Sequence, residues 1–367
     1  MPSRTALHEA EASAGAQFVD QAGWEVPRHF GNVEQEYQSA YKRAALFDLG
    51  HHGKVEVCGP EAAAFLHNLC TNEIKQLEIG KGCEAFFATL KARVVGHAFI
   101  YRARSDDGQD VFFLDTAPGQ GENLARHLDH YLISEQVEIK DRTGEISQLY
   151  VAGPQAPALV QQVLGNDFSR LANLEVREAI DHADVKYQVR RHDFLGLPGY
   201  HLLCANERAS EVWARLRHAG AIPAGSEAFE TLRLEAGTPI FGRDFDDSHL
   251  VMEIGRTRDA ISYSKGCYLG QEPVVRSRDL GHVNRSLLGV KIHSGQPGKP
   301  GAKLFRNDSE VGQITSSVFS PRLEAAIALA YVRRGSQQPG TELEVELESG
   351  RCKGEVSALP FLAGAPG

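Results

Sequence analysis

The same short pattern occurs twice in the sequence: an apolar strand, a Gly-Pro turn and an apolar helix. Residues 54–58 alternate apolar and polar positions, as a half-buried strand does, and lead into Gly59-Pro60-Glu61-Ala62. Residues 149–152 lead into Gly153-Pro154-Gln155-Ala156 in the same way, 94 residues later. Proline is tolerated in the first turn of a helix, so both units predict a strand, a turn and a helix. The repeat predicts two related α+β lobes, and chance similarity between two short patterns is the alternative.

The segments around these two units extend the prediction. Apolar residues recur at helical spacing in residues 33–46, 123–132 and 207–218. A further helix is predicted to end at residue 235, with Ser226 as its N-cap and Gly237 as its stop signal. Strands are predicted at residues 84–89, 94–101, 111–114, 186–189 and 199–204. This mixture places both lobes in the α+β class.

The pattern changes after residue 285. Short alternating segments are separated by turns such as Gly295-Gln296-Pro297-Gly298 and Gln338-Pro339-Gly340. Many short strands between Gly/Pro turns are typical of a small antiparallel barrel or sandwich. We therefore predict two interleaved lobes in residues 1–285 and a β domain in residues 286–367.

Composition excludes several classes of protein. The chain has 367 residues, 42% hydrophobic and 24% charged, which is an ordinary globular composition and argues against disorder. Its 39 basic and 48 acidic residues give a net charge of -9, so direct nucleic-acid binding is not expected. The six cysteines form no Cys-x-x-Cys pair, which argues against structural zinc and favours a reducing compartment. Since neither a signal peptide nor an apolar stretch of roughly 20 residues is present, we expect a cytoplasmic protein without membrane contact.

One eight-residue segment combines a thiol with flexible and polar residues. It comprises Lys265, Gly266, Cys267, Tyr268, Leu269, Gly270, Gln271 and Glu272. The two glycines allow a sharp turn that presents the thiol, and the nearby lysine favours its thiolate form. Gln271 and Glu272 have the groups needed to pair with the edge of a heterocycle. The alternative is a buried cysteine in a tight turn, with Glu272 capping a helix.

This octapeptide resembles the signature of the YgfZ-type folate-binding proteins, which are relatives of the glycine-cleavage T-protein, an aminomethyltransferase. Residues 22–27, 45–49, 232–237 and 311–316 are each similar to T-protein segments and occur in the same order. The resemblance implies a three-domain cloverleaf, with two α+β domains and a C-terminal antiparallel β-barrel around a central hole that holds tetrahydrofolate. Two lobes and a late β domain agree with that architecture.

Four positions depart from the T-protein pattern. The family carries an essential aspartate in a Gly-Gly-x-x-Asp-Asp stretch, and the matching residues 92–97 end in His97 instead. Leu197 replaces the glutamate that recognises the pterin, Phe229 replaces a cation, and Asp115 replaces an asparagine. A neutral His97 is able to act as an acid or base, and the alternative is that it only fills space. The losses place the chain nearer to the YgfZ-type branch.

The resemblance therefore implies a tetrahydrofolate-binding protein that supports assembly or repair of iron–sulfur clusters, with Cys267 as the functional thiol. The implied partners are a folate-type small molecule and iron–sulfur assembly proteins or client enzymes. No stable metal is implied, because one cysteine cannot ligate a whole cluster. The residues implied in folate binding are Trp24, Asp115, Arg233 and Glu253, and a core position is the alternative for the tryptophan.

Two other functions stay open. The first is an aminomethyltransferase or another one-carbon transferase of the T-protein type, which would use tetrahydrofolate and His97. The second is a folate-free interaction protein in which the central hole has closed. The candidate catalytic residue is Cys267 in the iron–sulfur hypothesis and His97 in the transferase hypothesis.

Overall fold

The computed structural model describes residues 2–105, 108–181, 185–279 and 283–362. The last five residues of the predicted β domain, 363–367, lie outside the described residues. The described chain has the predicted α+β architecture of two lobes followed by an antiparallel barrel. The division of the chain at residue 285 stays a prediction.

The first part of the chain forms an N-terminal hairpin layer and one five-stranded sheet. Its elements are β1 (Ser3–Arg4), α1 (His8–Ser13), β2 (Gln17–Gln21), β3 (Trp24–His29), α2 (Val33–Lys42), β4 (Ala45–Asp48), β5 (His52–Cys58), α3 (Ala62–Leu69), β6 (Gly82–Ala88), β7 (Val94–Arg104), β8 (Asp110–Pro118), α4 (Gly121–His130) and β9 (Glu138–Asp141). The sheet has the order β6-β7-β8-β5-β9, and all its pairs are antiparallel. Apolar side chains of this sheet pack against α3 and α4, which places the core of the first lobe on that face.

The second lobe is built on a six-stranded sheet. Its elements are β10 (Ile146–Ala152), α5 (Ala156–Leu164), β11 (Val176–Ile180), β12 (Lys186–Arg191), β13 (Gly199–Ala205), α6 (Asn206–Ala219), β14 (Ile222–Pro223) and α7 (Ser226–Glu235), and α8 (Thr257–Ala260) and α9 (Gln271–Asp279) follow. The strand order is β11-β12-β13-β10-β4-β14, and α5 and α6 cover the apolar face. The early strand β4 pairs with β10, so the two lobes are interleaved along the chain.

The C-terminal strands close into a six-stranded barrel. They are β15 (Arg285–Ile292), β16 (Lys303–Arg306), β17 (Ser309–Ser320), β18 (Ala325–Arg333), β19 (Glu342–Leu347) and β20 (Gly350–Ser357). The order around the barrel is β15-β18-β17-β16-β19-β20, and every neighbouring pair is antiparallel. Closure leaves no unpaired sheet edge, and the inward side chains of β15, β18, β19 and β20 fill the interior.

The two Gly-Pro units have the same local structure. Each follows a central strand of its sheet, β5 or β10, and precedes a helix, α3 or α5. Gly59 and Gly153 both have positive φ angles, 122° and 135°. A side chain at either position would overlap a neighbouring backbone carbonyl, of Gln136 or Ala40. Glycine is therefore required twice for the same reason, which is the local basis of the repeat.

Two local predictions are wrong. The helix predicted for residues 33–46 ends at Lys42, and residues 45–48 form the buried strand β4. A short apolar run does not distinguish helix from strand, and here pairing with β10 decides. Ser226 is the first residue of α7 rather than its N-cap, because Gly225 takes that position and donates its N–H to Glu36 Oε2 at 2.9 Å.

Candidate functional site

A narrow cavity lies where the two lobes face one another. Strands β5, β7, β8 and β10, the β12–β13 connection, and residues 229 and 239–241 contribute to its wall. Its lining residues include Leu49, His52, His97, Phe99, Asp115, Thr116, Gln148, His192, Phe194, His201, Phe229, Ile240 and Phe241. Ile240 and Phe241 also line a wider and more open depression between α7 and the barrel.

A buried histidine–carboxylate pair is the most distinctive feature of the wall. His97 lies on β7 and Glu84 on the adjacent strand β6, and both are buried. His97 Nε2 lies 2.8 Å from Glu84 Oε1. Arg256 donates from Nε to both oxygens of the same carboxylate, at 3.0 and 3.2 Å, and also from its terminal nitrogen. Glu84 thus holds a histidine and an arginine together across two segments of the chain.

Charge keeps Glu84 ionised. Burial by itself would raise the pKa of Glu84, but the hydrogen bonds and charges of His97 and Arg256 outweigh burial and lower this pKa to about 2. An ionised carboxylate only accepts hydrogen bonds, so Nε2 of His97 carries the proton of this contact. None of the hydrogen bonds in the described residues uses Nδ1 of His97. His97 lines the cavity, and Nδ1 is the ring nitrogen that Glu84 does not hold.

A second buried ion pair neutralises Asp115, the carboxylate that lines the cavity. Arg190 on β12 pairs with Asp115 on β8 and donates from Nε to Gln188 Oε1 at 2.7 Å. The guanidinium carbon of Arg190 also lies 4.7 Å from the centre of the Tyr101 ring. Asp115 lines the cavity, as expected of a ligand contact, but its charge is already compensated.

Four histidines, called here the histidine cluster, lie in or beside the cavity wall: His51, His52, His192 and His201. His52 is half-buried, and the other three are buried. Burial lowers the pKa of His51, His192 and His201 to about 3, with nearby positive groups adding to the effect. Burial also lowers the pKa of His52 well below its usual range. These rings are therefore neutral near pH 7 and act as neutral hydrogen-bonding groups.

Comparisons with known proteins bear on what this site is. Residues 7–260 match the GCVT N-terminal domain, and residues 285–362 match the glycine cleavage T-protein C-terminal barrel domain. An aminomethyltransferase of Geobacillus kaustophilus is 30% identical over 366 residues, covering 98% of this chain and 99% of that protein. One of Rubrobacter xylanophilus is 31% identical and covers 98% of this chain and 94% of that protein.

The chain belongs to the glycine cleavage T-protein family.

The structural comparison agrees with that family. The crystal structure of aminomethyltransferase T of the glycine cleavage system from Bartonella henselae superposes with a TM-score of 0.90 at 23% identity, covering 99% of each chain. At this identity the likeness establishes a shared fold. The family matches confirm the prediction of a T-protein relative, and its placement in the YgfZ-type branch stays a prediction.

Residues 265–270 of the octapeptide form a loop before α9 in this T-protein family member, and Cys267 is exposed there as a free thiol. Lys265, in contrast, is buried and donates from Nζ to the carbonyls of His67, Cys70 and Asn72, at 2.6, 2.8 and 2.6 Å. Its ammonium group anchors the loop, which is a structural role and not the predicted activation of the thiol. The alternative of a buried cysteine is also wrong.

The other residues of the octapeptide lie in the loop or at the start of α9. Gly270 has a φ of 82°, and a Cβ there would overlap the carbonyl oxygen of Thr89. Tyr268 is buried, Gly266 is exposed, and Gln271 begins α9. Glu272 pairs with Arg276 at 2.9 Å on the surface of that helix. None of these residues, nor Cys267, lines the central cavity, so the predicted contact of Gln271 and Glu272 with a heterocycle there is not supported.

Two of the predicted folate contacts have structural roles, and a third, Trp24, lies outside the cavity wall. Arg233 is fully buried and donates to Asp244 and Ser316, at 2.8 and 2.9 Å, which ties α7 to the barrel. Glu253 pairs with Arg285 at 3.1 Å. Trp24 is half-buried on β3, so the alternative of a core tryptophan does not hold either. Of the predicted site residues, His97 and Asp115 line the cavity.

The sequence interpretation missed several residues of the site. Gln148 lies in the apolar run of β10 and is buried, and a polar residue within a buried strand is the signal that would have marked it. Glu84 and Arg256 are 172 residues apart, so no local pattern joins them. Among the described residues, no group of three or more His, Cys, Asp or Glu side chains is placed to hold a metal ion. No helix in the described ranges is long and apolar enough to cross a membrane.

Proposed function

We propose that this protein binds a tetrahydrofolate-type ligand in its central cavity and transfers a one-carbon unit, as the names of its aminomethyltransferase relatives suggest. The observation that carries the proposal is the buried His97–Glu84 pair on the cavity wall, at the position where the T-protein pattern has its essential aspartate. A histidine in that position supplies a ring nitrogen that is able to accept and to donate a proton.

The aromatic side chains of the cavity wall support the proposal of a planar ligand. The rings of Phe99, Phe194 and Phe229 provide apolar faces against which such a ring packs. Gln148 and His201 supply polar atoms that have no hydrogen-bond partner within the described residues. Buried polar atoms without partners are rare in folded proteins, and a ligand is one way of pairing them.

Transfer from an aminomethyl carrier to tetrahydrofolate yields methylene-tetrahydrofolate, ammonia and the free carrier thiol. Tetrahydrofolate, when bound, supplies the nitrogens that accept the carbon. The transfer requires removal of a proton from a nucleophile and delivery of a proton to the departing amine. Nδ1 of His97 is able to perform both steps, because the ionised Glu84 holds the opposite ring nitrogen and stabilises the imidazolium.

The test is a comparison of His97→Asn with His218→Asn, which changes a histidine on α6, outside the cavity wall. We expect His97→Asn to lower the rate of methylene-tetrahydrofolate formation by about 100-fold or more, since general acid–base groups contribute about 10² to 10⁴. His218→Asn should leave it within about twofold. A His97→Asn enzyme with more than half of the wild-type rate would contradict the proposal.

Binding is tested separately by calorimetric titration with tetrahydrofolate. Binding that persists in His97→Asn while turnover is lost supports a catalytic role for this histidine. No detectable heat or competition at millimolar ligand would remove both folate hypotheses and leave the folate-free interaction protein.

A second candidate function rests on the exposed thiol of Cys267 on its anchored loop. In it the protein supports iron–sulfur enzymes through a redox or mixed-disulfide step at Cys267. Cys267→Ser should abolish rescue of iron–sulfur enzyme activity in a deletion strain, and Cys352→Ser, in the barrel, should retain it. Full rescue by Cys267→Ser would exclude the thiol role.

A further inference from the structure

His52 lies at the boundary between the central cavity and a second, smaller pocket. Four residues line both of them: Leu49, His52, Phe229 and Ile240. The smaller pocket, called here the side pocket, extends from these residues to Asp48, His51 and the hairpin of β2 and β3. Neither His97 nor Glu84 lines the side pocket, so the acid–base pair does not explain the polar side chains of its wall.

The backbone of His52 is engaged within the turn that joins β4 to β5. Its N–H donates to the carbonyl of Leu49 at 2.9 Å, and its carbonyl accepts from Nζ of Lys54 at 2.7 Å. Lys54 also donates to the carbonyl of Gly50 at 2.9 Å, which closes the turn. Within the described residues, no hydrogen bond uses the ring of His52. The ring nitrogens are therefore the groups that this half-buried residue offers to a ligand.

His52 and His97 lie on the two strands that flank β8. The register of β7 on β8 places His97 beside Ala117, and the register of β5 on β8, which is irregular at His52, places His52 beside the same alanine. Neighbouring strands are about 4.8 Å apart, so the backbones of the two histidines are about 10 Å apart. All three residues line the central cavity, with the smallest of them in the middle. This arrangement leaves room for a reacting group between the two histidines.

The charges around His52 favour a neutral amine over a cation. Burial lowers the pKa of His52 well below its usual range, so the ring is neutral and one of its nitrogens accepts a hydrogen bond. The positive charge of Lys54 adds to this lowering, and the same charge opposes an ammonium ion beside the ring. Asp48 and His51 place further polar groups in the wall of the side pocket. A small neutral molecule with several N–H groups suits these surroundings.

We propose that the side pocket is a binding site for ammonia and that His52 accepts a hydrogen bond from it. The inference rests on the proposed function, in which ammonia is a product, and it adds the site that this product occupies. During transfer the bond between the one-carbon unit and the amine breaks, and the amine leaves with one added proton as ammonia. His97 exchanges protons with the reacting groups, and His52, on the other side of Ala117, receives the ammonia.

The kinetic test follows the reverse reaction, in which methylene-tetrahydrofolate, ammonia and the free carrier thiol give tetrahydrofolate and the aminomethyl carrier. Initial rates are measured with varied ammonium chloride at constant ionic strength, in mildly alkaline buffer in which part of the ammonium is present as ammonia. His52→Leu removes both ring nitrogens, and His52→Gln keeps a hydrogen-bond acceptor. The matched control is His218→Leu, because His218 is an exposed histidine of α6. Thermal unfolding of each variant confirms that it is folded.

We expect His52→Leu to raise the KM for ammonia by about fivefold or more, because it loses a hydrogen bond in a buried site. Its KM for methylene-tetrahydrofolate should stay within about twofold of wild type, and His218→Leu should keep both values within about twofold. The KM of His52→Gln for ammonia should lie between those of wild type and His52→Leu. A folded His52→Leu enzyme with the wild-type KM for ammonia would overturn the inference, whatever its kcat.

A second measurement does not require turnover. Wild-type protein labelled with nitrogen-15 in its histidine rings is titrated with ammonium chloride, and with sodium chloride as the control for ionic strength, and the signals of His52 are identified by their absence from His52→Leu. We expect a saturable shift of these signals with ammonium chloride alone, and its absence would overturn the inference. A protein that shows the shift but transfers no one-carbon unit would refute the proposed function and leave the ammonia site intact.

Discussion

Replacing Glu84 by glutamine should destabilise the protein strongly, because it removes the charge shared by His97 and Arg256. The pKa of Glu84 is about 2 in the folded chain, against about 4.3 for an unfolded glutamate. A difference of about two units at about 1.4 kcal/mol per unit corresponds to about 3 kcal/mol of stability from the ionised carboxylate. The sign is fixed by the lowered pKa: the contribution is complete above about pH 4.5 and is lost as the pH falls towards 2.

The assay is urea unfolding at pH 7.5 of wild type, Glu84→Gln, Arg256→Gln and the double variant. We expect Glu84→Gln to lower the free energy of unfolding by about 3 kcal/mol, and Arg256→Gln by less, since Arg256 reaches solvent. The loss in the double variant should be smaller than the sum of the single losses by about 1 kcal/mol or more, which is the coupling of a contacting charge pair. A coupling energy near zero would show that the two side chains do not share a charge as the structure has them.

Three further predictions concern the loop and the histidine cluster. Gly270→Ala should destabilise the chain by about 2 kcal/mol or more in urea unfolding, because the new Cβ overlaps a backbone carbonyl at positive φ. The control Gly266→Ala should change stability by less than about 0.5 kcal/mol, because its new Cβ has no other atom within 4 Å. Lys265→Met should also destabilise by about 2 kcal/mol, since three carbonyls lose their donor, yet the maleimide reaction rate of Cys267 in the folded protein should stay within about twofold. The free energy of unfolding should fall as the pH drops below about 6.5, because the cluster histidines become protonated in the unfolded state, whereas their lowered pKa keeps them neutral in the folded state. Urea unfolding at about pH 7.5, 6.5 and 5.5 measures this dependence, and His201→Phe should make it less steep.

The fold could be predicted where local chemistry decides it. The turns at Gly59 and Gly153 need positive φ, and the late segments need many tight turns, so sequence alone indicates two lobes and a barrel. The error at residues 45–48 has a different origin. These residues become a strand because β10, about a hundred positions later, offers a pairing edge, and no local periodicity contains that information.

The site was harder to predict, because its charges come from distant segments. His97 was identified through the resemblance, but its partner Glu84 lies on another strand, and Arg256 comes from a connection after the second lobe. Lys265 shows the opposite error. Its place two residues before a cysteine suggested an electrostatic role, whereas three carbonyls of another segment hold its ammonium group. Spacing along the chain does not determine which groups meet.

The structure also changes how the replacement of the family's aspartate by His97 is interpreted. Taken by itself, that substitution suggests that the charge needed for one-carbon transfer is lost. An ionised carboxylate is nevertheless present on the neighbouring strand, at Glu84, and His97 stands between it and the cavity. A positive charge that develops on His97 is therefore stabilised by Glu84, while Arg256 keeps that carboxylate ionised. Compared with the T-protein pattern, the negative charge lies one side chain further from the cavity, with an imidazole between the two. This arrangement is the reason for proposing a modified acid–base site in place of an inactive one.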